Sequence, residues 1–273
     1  MNYIDIKDLK LSYKILKTGN INTVVNIPKF KLDKGDIVGF FGPNHVGKST
    51  LLRYISQIYI GLDIKSNHIL YDGKKYDKSN NSPLILHIPQ DYSTSLLPWF
   101  SIKKNLRIIM KSLKYTDKEI ENKVKIFCDD FGFDTEDDLM KYYGFYKKDK
   151  NDYIIRTIKE LSGGQKQILS VLRAMIVKPD IVTMDEPFSA LDTFTKGEEF
   201  RKKVFTYLES NDITTLIVAH ELEEIIAFTK KLFIFNYDAN GYILKGEEDS
   251  HVLVDEIPLF AQELKEKYGL GYI

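Results

Sequence analysis

Hydrophobic residues near the start of the chain follow two different periods, which predict strands followed by a helix. Residues 3–11 alternate polar and apolar side chains, residues 21–30 are rich in β-branched side chains, and residues 36–41 form a short apolar run. A short apolar run that leads into a helix is typical of a buried parallel strand. Residues 49–60 instead repeat their apolar side chains at helical spacing. We therefore predict strands, then a loop, then a helix.

The strand pattern fades from about residue 94, and helical periodicity replaces it. An apolar strand is predicted just before this point, at residues 84–88. Residues 102–113 and 117–131 then place their apolar side chains at helical spacing. These observations predict a mostly helical subdomain that is inserted between strands of the core.

Charged and aromatic residues are densely mixed in residues 129–152. Basic side chains interleaved with aromatic rings are one way to stack on single-stranded nucleic acid. A solvated extension of the helical subdomain is the simpler interpretation, and we favour it. The sequence leaves the role of this segment open.

Strands and helices alternate again after the helical subdomain. An apolar run at 181–185 predicts a strand, and it is followed by a predicted helix at 197–208 and a predicted strand at 214–219. A late hairpin is predicted around the Asn240-Gly241 turn signal. The tail from about residue 249 is predicted to be helical and too short for an added regulatory domain.

Composition and charge limit the classes of function. The 273 residues suffice for one large core or two modest ones. The 39 basic and 39 acidic side chains give no electrostatic reason to expect a nucleic-acid partner. No stretch approaches the roughly 20 apolar residues of a membrane-spanning helix, and the first residues lack a signal-peptide pattern. The single Cys128 fits a reducing compartment, so we expect a cytoplasmic protein.

Residues 42–50 match the phosphate-binding loop G-x-x-x-x-G-K-[ST]. Backbone N–H groups of such a loop surround the phosphates, its lysine reaches the β and γ phosphates, and its hydroxyl faces Mg²⁺. A strand, loop and helix in succession is the context this motif requires, because the phosphates then lie at the helix N-terminus. The predicted nucleotide-binding residues are Gly42, Pro43, Asn44, His45, Val46, Gly47, Lys48, Ser49 and Thr50.

Asp185 ends the apolar run at 181–185, and Glu186 follows it directly. Open parallel sheets bind their ligands at the carboxyl ends of the strands. We therefore expect the Asp185 carboxylate beside the phosphate loop, where it would hold Mg²⁺ together with Ser49. The alternative is that the two acidic residues only form a polar strand end.

A second short string, Leu161-Ser162-Gly163-Gly164-Gln165, precedes a predicted helix at 166–177. A hydroxyl, a small-residue backbone and a helix dipole can there face an anion. The two strings, in this order, resemble the nucleotide-binding subunit of the ATP-binding-cassette family. The matching positions run from Tyr13 to His220 and cover 208 of 273 residues.

The resemblance implies a fold and a set of functional residues. The fold class is α/β, with a P-loop NTPase core built on a mixed or parallel sheet, an antiparallel N-terminal β part and an inserted α-helical subdomain. The implied domains are 1–93 with 178–248 as the ATP-binding core, 94–177 as the helical subdomain, and 249–273 as the tail. ATP and Mg²⁺ are the implied cofactors.

Four further residues receive roles from this resemblance alone. Glu186 corresponds to the glutamate that polarises the attacking water, and Gln90 to the glutamine that senses Mg²⁺ and the γ phosphate. His220 corresponds to the histidine that contacts the γ phosphate. Tyr13 corresponds to the aromatic residue that stacks on adenine, although it lies 29 positions before Gly42, a wider gap than the family usually has. The alternative for Tyr13 is a packing role.

The string at 161–165 corresponds to the signature segment, which contacts ATP held by the other subunit of a pair. One chain has one phosphate loop and one signature, so two chains, identical or different, are needed for two complete sites. Asp192 would help to shape the opposite site. ATP that binds the closed pair better than the open pair would drive closure.

Residues 90–99, which include Leu96-Leu97-Pro98-Trp99, resemble bacterial importers of nitrate, sulfonate, taurine and thiamine precursors. An apolar surface of this kind suits a short helix of a membrane partner, unless Trp99 packs inside the helical subdomain. The resemblance implies separate membrane-spanning permease subunits, a solute-binding protein, no nucleic acid, and a peripheral location on the inner membrane face. The solute is not identified by the sequence.

Two positions depart from the family, and other functions stay open. His45 stands where a small residue is usual, and Ile168 stands where a basic residue is usual. A soluble cassette ATPase acting in ribosome, chromosome or metal-cluster assembly is one alternative. An exporter subunit and a nucleotide-gated subunit without turnover are the others. The histidines and Cys128 lack the spacing of a transition-metal site.

Overall fold

The computed structural model describes residues 3–14, 21–59, 62–65, 68–77, 82–149, 152–191, 196–219, 221–238, 241–249 and 257–268. Its strands are β1 (Ile4–Lys14), β2 (Ile21–Leu32), β3 (Ile37–Phe41), β4 (Leu62–Lys65), β5 (His68–Tyr71), β6 (Ile85–Ile88), β7 (Tyr146–Asp149), β8 (Asp152–Ile155), β9 (Ile181–Asp185), β10 (Thr214–Val218), β11 (Lys231–Asp238) and β12 (Gly241–Asp249). Its helices are α1 (Lys48–Ile55), α2 (Ile102–Ser112), α3 (Asp117–Asp130), α4 (Glu136–Tyr142), α5 (Gly163–Met175), α6 (Lys196–Ser210), α7 (Leu222–Phe228) and α8 (Ile257–Lys267).

One large mixed sheet runs in the order β4-β1-β2-β12-β11-β3-β10-β9-β6, with β5 also paired to β1. Strands β9, β10, β3 and β11 pair in parallel, whereas β1 pairs antiparallel with β2, β4 and β5. Strands β11 and β12 form an antiparallel pair. The predicted parallel core with an antiparallel N-terminal part is therefore confirmed, as is the late hairpin.

The central strands form because their residues are mostly apolar on both faces. All residues of β3, β9 and β10 are buried, as expected for strands covered on both sides. Phe40 of β3 packs edge-on against Phe233 and Phe235 of β11, with ring centroids 5.8 and 5.3 Å apart. This packing fixes the end of β3, from which the chain enters the phosphate loop.

The chain divides into two compact units. The first comprises residues 1–87, 180–186 and 212–273, and the second comprises residues 88–179 and 187–211. The second unit includes α6, which lies within the predicted core boundaries, and the first includes α8. The functional division into an ATP-binding core, a helical subdomain and a tail stays a prediction. None of the helices in the described residues combines the length and the apolar character that a bilayer crossing requires.

The helices of the second unit begin at residues whose side chains satisfy free backbone N–H groups. The Ser101 hydroxyl accepts from the N–H of Lys104 at the start of α2, and Thr116 and Glu119 form a capping box at the start of α3. Within this unit α2 packs against α5, and α3 packs against α4. The predicted helices at 102–113 and 117–131 are confirmed to within about one residue at each end.

The charged aromatic segment at 129–152 differs from its prediction. It includes α4 and leads into a β7–β8 hairpin, and both Tyr143 and Phe145 are buried. The interpretation of a merely solvated extension is wrong for these two residues. Their burial gives α4 an anchored C-terminal end, which local charge density does not reveal.

Candidate functional site

The phosphate loop needs glycine at two positions because other backbone segments approach it closely. A Cβ on Gly47 would lie 2.3 Å from the carbonyl oxygen of Val24, and one on Gly42 would lie 2.3 Å from that of Phe235. Both residues also have positive φ, 92° at Gly47 and 150° at Gly42, which glycine adopts without a steric penalty. The glycines of the motif therefore let β2 and β11 pack against the loop.

The loop ends at the N-terminus of α1, where free N–H groups point toward a ligand. Gly47 is the N-cap residue of α1 and offers no side-chain cap. The first turn of α1 contains no acidic residue. The uncapped amides and the helix dipole therefore favour an anion at this end. Val46 is buried and fixes the loop to the core of the sheet.

Lys48 lies across the loop that it is expected to serve. Its Nζ donates to the carbonyls of Gly42 and Pro43 at 2.6 and 2.8 Å. Burial lowers the pKa of Lys48 to about 8, and the nearby Glu186 and Asp185 carboxylates act in the opposite direction. The ammonium group is thus held ready beside the site at which phosphate oxygens would bind.

Ser49 and Asp185, which are far apart in sequence, meet at the carboxyl end of β9. The Ser49 hydroxyl donates to Asp185 Oδ1 at 2.9 Å. Asp185 Oδ2 is buried and has no hydrogen-bond partner within the part of the chain that the structure describes. Burial raises the pKa of this carboxyl group, and the Ser49 hydrogen bond opposes the rise. A buried carboxylate oxygen without a partner, next to a hydroxyl, is a donor set that fits Mg²⁺.

Glu186 follows Asp185 in a strained backbone conformation. Its φ is 50°, a left-handed value that costs a non-glycine residue about 1–2 kcal/mol. Its N–H donates to the carbonyl of Val218 at 2.8 Å, which ties the residue to the end of β10. Strain of this kind concentrates at functional sites, and here it turns the backbone away from β9 directly after the Asp185 carboxylate.

Tyr13 reaches the same loop through its hydroxyl group. This half-buried residue lies on β1, and its hydroxyl is 3.3 Å from that of Thr50 in α1. The predicted stacking of its ring on adenine stays a prediction. The hydrogen bond nevertheless places the ring of Tyr13 next to the predicted nucleotide-binding residues.

Thr183, on the same strand as Asp185, belongs to a polar network that was not predicted from the sequence. Thr183 lies two residues earlier on β9. Its hydroxyl forms hydrogen bonds with the Ser56 hydroxyl at 2.6 Å and with His87 Nδ1 at 2.8 Å. Burial lowers the pKa of His87 to about 4, and Arg53 contributes in the same direction. The available signal was one histidine within the otherwise apolar strand at 84–88.

Acid is expected to destabilise the protein through His87. The folded pKa of about 4 lies below the ordinary value of 6.5, so unfolding takes up a proton between these values. Compared with its value above pH 6.5, the free energy of unfolding is therefore lowered through His87 as the pH falls toward 4. The loss amounts to about 2–3 kcal/mol after allowance for partial exposure.

Urea unfolding of the wild type and of His87→Gln between pH 4 and pH 7 measures this contribution. Because glutamine does not titrate, the difference between the two profiles isolates His87 from the other acidic and basic groups. We expect the variant to have the flatter profile. Parallel profiles would contradict a neutral buried histidine.

The signature segment begins α5 in the second unit. Ser162 is the N-cap, and it forms a capping box with Gln165: the Gln165 N–H donates to Ser162 Oγ at 3.2 Å, and the Ser162 N–H donates to Gln165 Oε1 at 3.0 Å. A Cβ on Gly164 would lie 3.0 Å from the carbonyl oxygen of Ala190, and one on Gly163 would lie 2.8 Å from the Tyr92 hydroxyl. Both glycines therefore permit close packing of this turn.

Gln167 is a second residue that the sequence analysis missed. It is buried, its Oε1 accepts from the N–H of Ala190 at 2.8 Å, and its Nε2 donates to the Ser189 hydroxyl at 3.3 Å. It thereby holds the turn that leads to Asp192. A glutamine on the buried face of an apolar helix was the available signal.

The remaining predicted site residues have different outcomes. Gln90 is exposed and lies two residues beyond β6, in the second unit. His220 and Asp192 lie outside the described residues. The structure therefore brings together the phosphate loop, Asp185 and Glu186 in the first unit, and Leu161 to Gln165 with Ala190 in the second.

Trp99 is 72% exposed, so the alternative in which it packs inside the helical subdomain is wrong. The turn that presents it is rigid, because the buried Asn105 side chain accepts from the N–H of Leu97 at 2.9 Å and donates to its carbonyl at 3.0 Å. Such an arrangement presents a large apolar side chain to a partner without a loss of core packing.

A family model described as ABC transporter matches residues 25–189. The chain belongs to this family. This ABC transporter protein is therefore an ATP-binding subunit with an ATPase domain. The predicted family is confirmed. The matched residues include the phosphate loop, the signature segment and both carboxylates at the end of β9.

Two named relatives of this ABC transporter protein are import ATP-binding proteins. The aliphatic sulfonates import ATP-binding protein SsuB of Bacillus cereus is 30% identical over 221 residues, which cover 81% of this chain and 76% of the relative. The spermidine/putrescine import ATP-binding protein PotA of Borreliella afzelii (strain PKo) is 29% identical over 243 residues, which cover 89% and 61%.

Solved ABC cassettes share its fold. A dimeric bacterial ABC transporter cassette, MJ0796, superposes with a TM-score of 0.69 at 20% identity, covering 92% of this chain and all of that one. The cassette cbiO1 of Clostridium perfringens, part of the complex cbiONQ, gives the same TM-score and identity and covers 99% and 95%. The α/β fold with its parallel and antiparallel parts is thereby confirmed.

The structure shows the surroundings of both residues that depart from the ABC family pattern. His45 is exposed and has a φ of 64°, which explains why a small residue suits this position better. Ile168 is buried on α5, so its side chain contributes to the core of the second unit.

Proposed function

We propose that the chain is the ATP-hydrolysing subunit of an importer for a small solute. It would act in pairs, beneath separate membrane-spanning subunits, on the inner face of the membrane, with a solute-binding protein as an additional component. The observation that carries the ATPase part is the meeting of Ser49, Asp185 and Lys48 at one end of the sheet. These groups serve a nucleoside triphosphate better than any other ligand class.

Ser49 and Asp185 are the residues that would hold Mg²⁺. The Asp185 Oδ2 atom supplies the oxygen that the described residues leave without a partner, and Ser49 would turn its hydroxyl from Oδ1 toward the ion. Magnesium, when bound, neutralises charge on the β and γ phosphates. By the family resemblance, Gln90 would be the residue that senses Mg²⁺ and the γ phosphate.

Lys48 and the backbone amides of the loop would bind the phosphates. Lys48 exchanges its two carbonyl partners for β and γ phosphate oxygens, and the charge-assisted hydrogen bonds that result are stronger than those it gives up. Tyr13 would stack on adenine, while its hydroxyl stays near Thr50. The loop from Gly42 to Thr50 would therefore bind the nucleotide before any conformational change.

Hydrolysis requires a base and a group that stabilises the γ phosphate. Glu186 would accept a proton from the attacking water, and its backbone is held by the Val218 hydrogen bond. His220, which follows β10 by two residues, would contact the γ phosphate. A positioned carboxylate of this kind contributes roughly 10²–10⁴ in rate.

The signature segment would complete the site of a second cassette. Ser162 and the N-terminus of α5 present a hydroxyl and free amides to an anion, yet the chain has one such segment and one phosphate loop. Two chains arranged head to tail would pair each phosphate loop with the signature segment of the other chain. Asp192 would help to shape the site of the opposite chain. The dimeric cassette among the structural relatives supports a pair of chains.

Import of a small solute is supported by the relatives and by Trp99. The named relatives carry aliphatic sulfonates or spermidine and putrescine into the cell. Trp99 presents an apolar ring on a turn that Asn105 holds rigid, which suits a short helix of a permease. The identity of the solute would be set by the permease and the solute-binding protein.

Trp99→Ala is expected to release the permease without loss of folding. A tagged chain is purified from detergent-solubilised membranes of its host, and the co-purifying proteins are identified and quantified. We expect a multi-spanning membrane protein with the wild type and at least tenfold less of it with the variant, because a buried interface tryptophan commonly contributes about 2 kcal/mol or more. The melting temperature is expected to stay constant.

Tyr153→Ala is the matched control, because Tyr153 is 61% exposed on β8 and has no proposed partner. It is expected to retain the membrane protein. Recovery of the wild type only with ribosomes or assembly factors would overturn the importer and favour a soluble cassette ATPase. A melting temperature that falls with Trp99→Ala alone would instead mean that the loss of the membrane protein reflects lower stability of the chain.

A further inference from the structure

One side chain, that of Gln165, connects the first turn of α5 to Gly144, which lies two residues beyond the end of α4. Its Nε2 donates to the carbonyl of Gly144 at 2.9 Å, and its Oε1 accepts from the N–H of Ser162 at 3.0 Å. The amide group is therefore engaged at both ends and has a single orientation. Ser162 in turn accepts at Oγ from the N–H of Gln165, so its position depends on where Gln165 is held.

Gly144 is fixed by the way in which α4 ends. The N–H of Gly144 donates to the carbonyl of Lys141 at 3.0 Å, and that of Phe145 donates to the carbonyl of Met140 at 2.9 Å. This is a Schellman motif with Gly144 in the left-handed region, at a φ of 73°. Met140 and Phe145 are both fully buried, so the carbonyl of Gly144 has an anchored position.

Glycine is required at position 144 for two separate reasons. The positive φ favours glycine in any surroundings. In addition, a Cβ at this position would lie 2.6 Å from Gln165 Nε2, which is too close for any real contact. A larger residue would therefore displace the amide of Gln165 as well as strain the backbone.

We propose that Gly144 is a positioning residue for the signature segment. Its carbonyl orients Gln165, and Gln165 holds the backbone and hydroxyl of Ser162 where they can meet the γ phosphate of ATP on the partner cassette. This inference rests on the proposed function, since the signature has a substrate only in a pair of cassettes. Gly144 itself touches no substrate.

Gly132 provides a matched control for the backbone effect. It follows α3 as Gly144 follows α4, with a φ of 78° and the same Schellman pattern, in which its N–H donates to the carbonyl of Asp129 and that of Phe133 donates to the carbonyl of Cys128. A Cβ on Gly132 would meet the end of the flexible Lys203 side chain at 3.4 Å. Alanine at either glycine brings the same strain, but at position 144 it also displaces Gln165.

The experiment compares Gly144→Ala and Gly132→Ala in chains that also carry Glu186→Gln, which is expected to slow hydrolysis. Sedimentation with and without ATP measures dimer formation, and a fluorescent ATP analogue at low protein concentration measures binding to the monomer. We expect Gly144→Ala to weaken ATP-dependent dimer formation about tenfold, the typical consequence of losing one hydrogen bond. Gly132→Ala should dimerise like its parent. Both variants should lower the melting temperature, Gly144→Ala by more because it also breaks the Gln165 hydrogen bond, and both should leave monomer binding unchanged.

Gln165→Met tests the same connection without backbone strain or added charge. It is expected to weaken dimer formation to a similar extent, and Gly144→Ala added to it should cause no further loss, because its target amide is gone. If Gly144→Ala does not fold, Gln165→Met decides: unaltered dimer formation overturns the inference.

The outcomes separate the two proposals. Equal dimer formation by Gly144→Ala and Gly132→Ala, in a parent chain that does dimerise with ATP, overturns the positioning role and leaves the proposed function intact. A parent chain that binds ATP but forms no dimer overturns the composite site, and the positioning role falls with it.

Discussion

Glu186→Gln is expected to lower the rate of ATP hydrolysis by roughly 10²–10⁴ while ATP binding persists. Glutamine has nearly the same shape as glutamate but cannot accept a proton from the attacking water. The backbone of Glu186 is already fixed, by its φ of 50° and by the hydrogen bond to Val218, so the substitution changes the chemistry of the site and leaves its geometry in place.

Single-turnover release of phosphate measures the chemical step, and sedimentation with ATP measures the closed pair. The variant is expected to accumulate as an ATP-bound dimer, because the bridging γ phosphate is no longer removed. Glu209→Gln is the matched control, since Glu209 is an exposed glutamate near the end of α6. Turnover by Glu186→Gln at the rate of this control would remove the assigned role.

Lys48→Met is expected to weaken ATP binding by roughly 10²–10³. Hydrogen bonds to charged groups contribute about 1.5–3 kcal/mol each, and Lys48 would make such bonds to two phosphate groups. Methionine keeps most of the apolar stem, so the loss reports on the ammonium group more than on packing. Isothermal titration with ATP gives the affinity, and Lys148→Met, at an exposed lysine on β7, is the matched control.

The pH dependence of ATP binding provides a second measure of Lys48. Its folded pKa of about 8 lies below the ordinary 10.5, so the chain without ATP loses the Lys48 proton as the pH rises above 8. ATP binds the protonated form better, and the affinity should therefore fall toward pH 9.5 with uptake of a proton on binding. Through this same group the free energy of unfolding should rise between pH 8 and pH 10.5, because the unfolded chain keeps its proton longer.

Titrations in two buffers of different ionisation enthalpy count the protons taken up at pH 9. Lys48→Met should remove both the uptake and the pH dependence. An affinity that is constant from pH 7 to pH 9.5, or a variant that binds as tightly as the wild type, would contradict a phosphate contact by Lys48. A fall in melting temperature with normal affinity would assign Lys48 to loop stability, through Gly42 and Pro43.

The parts of the fold that were predicted correctly are those with strong local patterns. The apolar runs at 36–41, 181–185 and 214–219 became β3, β9 and β10, and the phosphate loop precedes a helix as its motif requires. The β7–β8 hairpin was missed because its charged residues show no apolar alternation. Buried Tyr143 and Phe145 were missed because their burial depends on packing against other helices.

The candidate site was predicted unevenly for a related reason. Motif spacing located Lys48, Ser49, Asp185 and the signature residues. It did not reveal Gln167 or His87, which are polar residues in apolar surroundings. Their partners, Ala190 and Thr183, are distant in sequence, so no local pattern marks the pair.

The sequence by itself determined the chemistry of this ABC transporter protein and several of its local structures. The capping box of Ser162 and Gln165 is one example, because both partners lie within a single helical turn. Tertiary structure alone decided that Ser49 meets Asp185 across 136 positions and that Gln165 meets the carbonyl of Gly144. Turn and capping geometry follow from neighbouring residues, whereas these contacts exist only once the strands and helices have packed and distant backbone groups have come within hydrogen-bond distance.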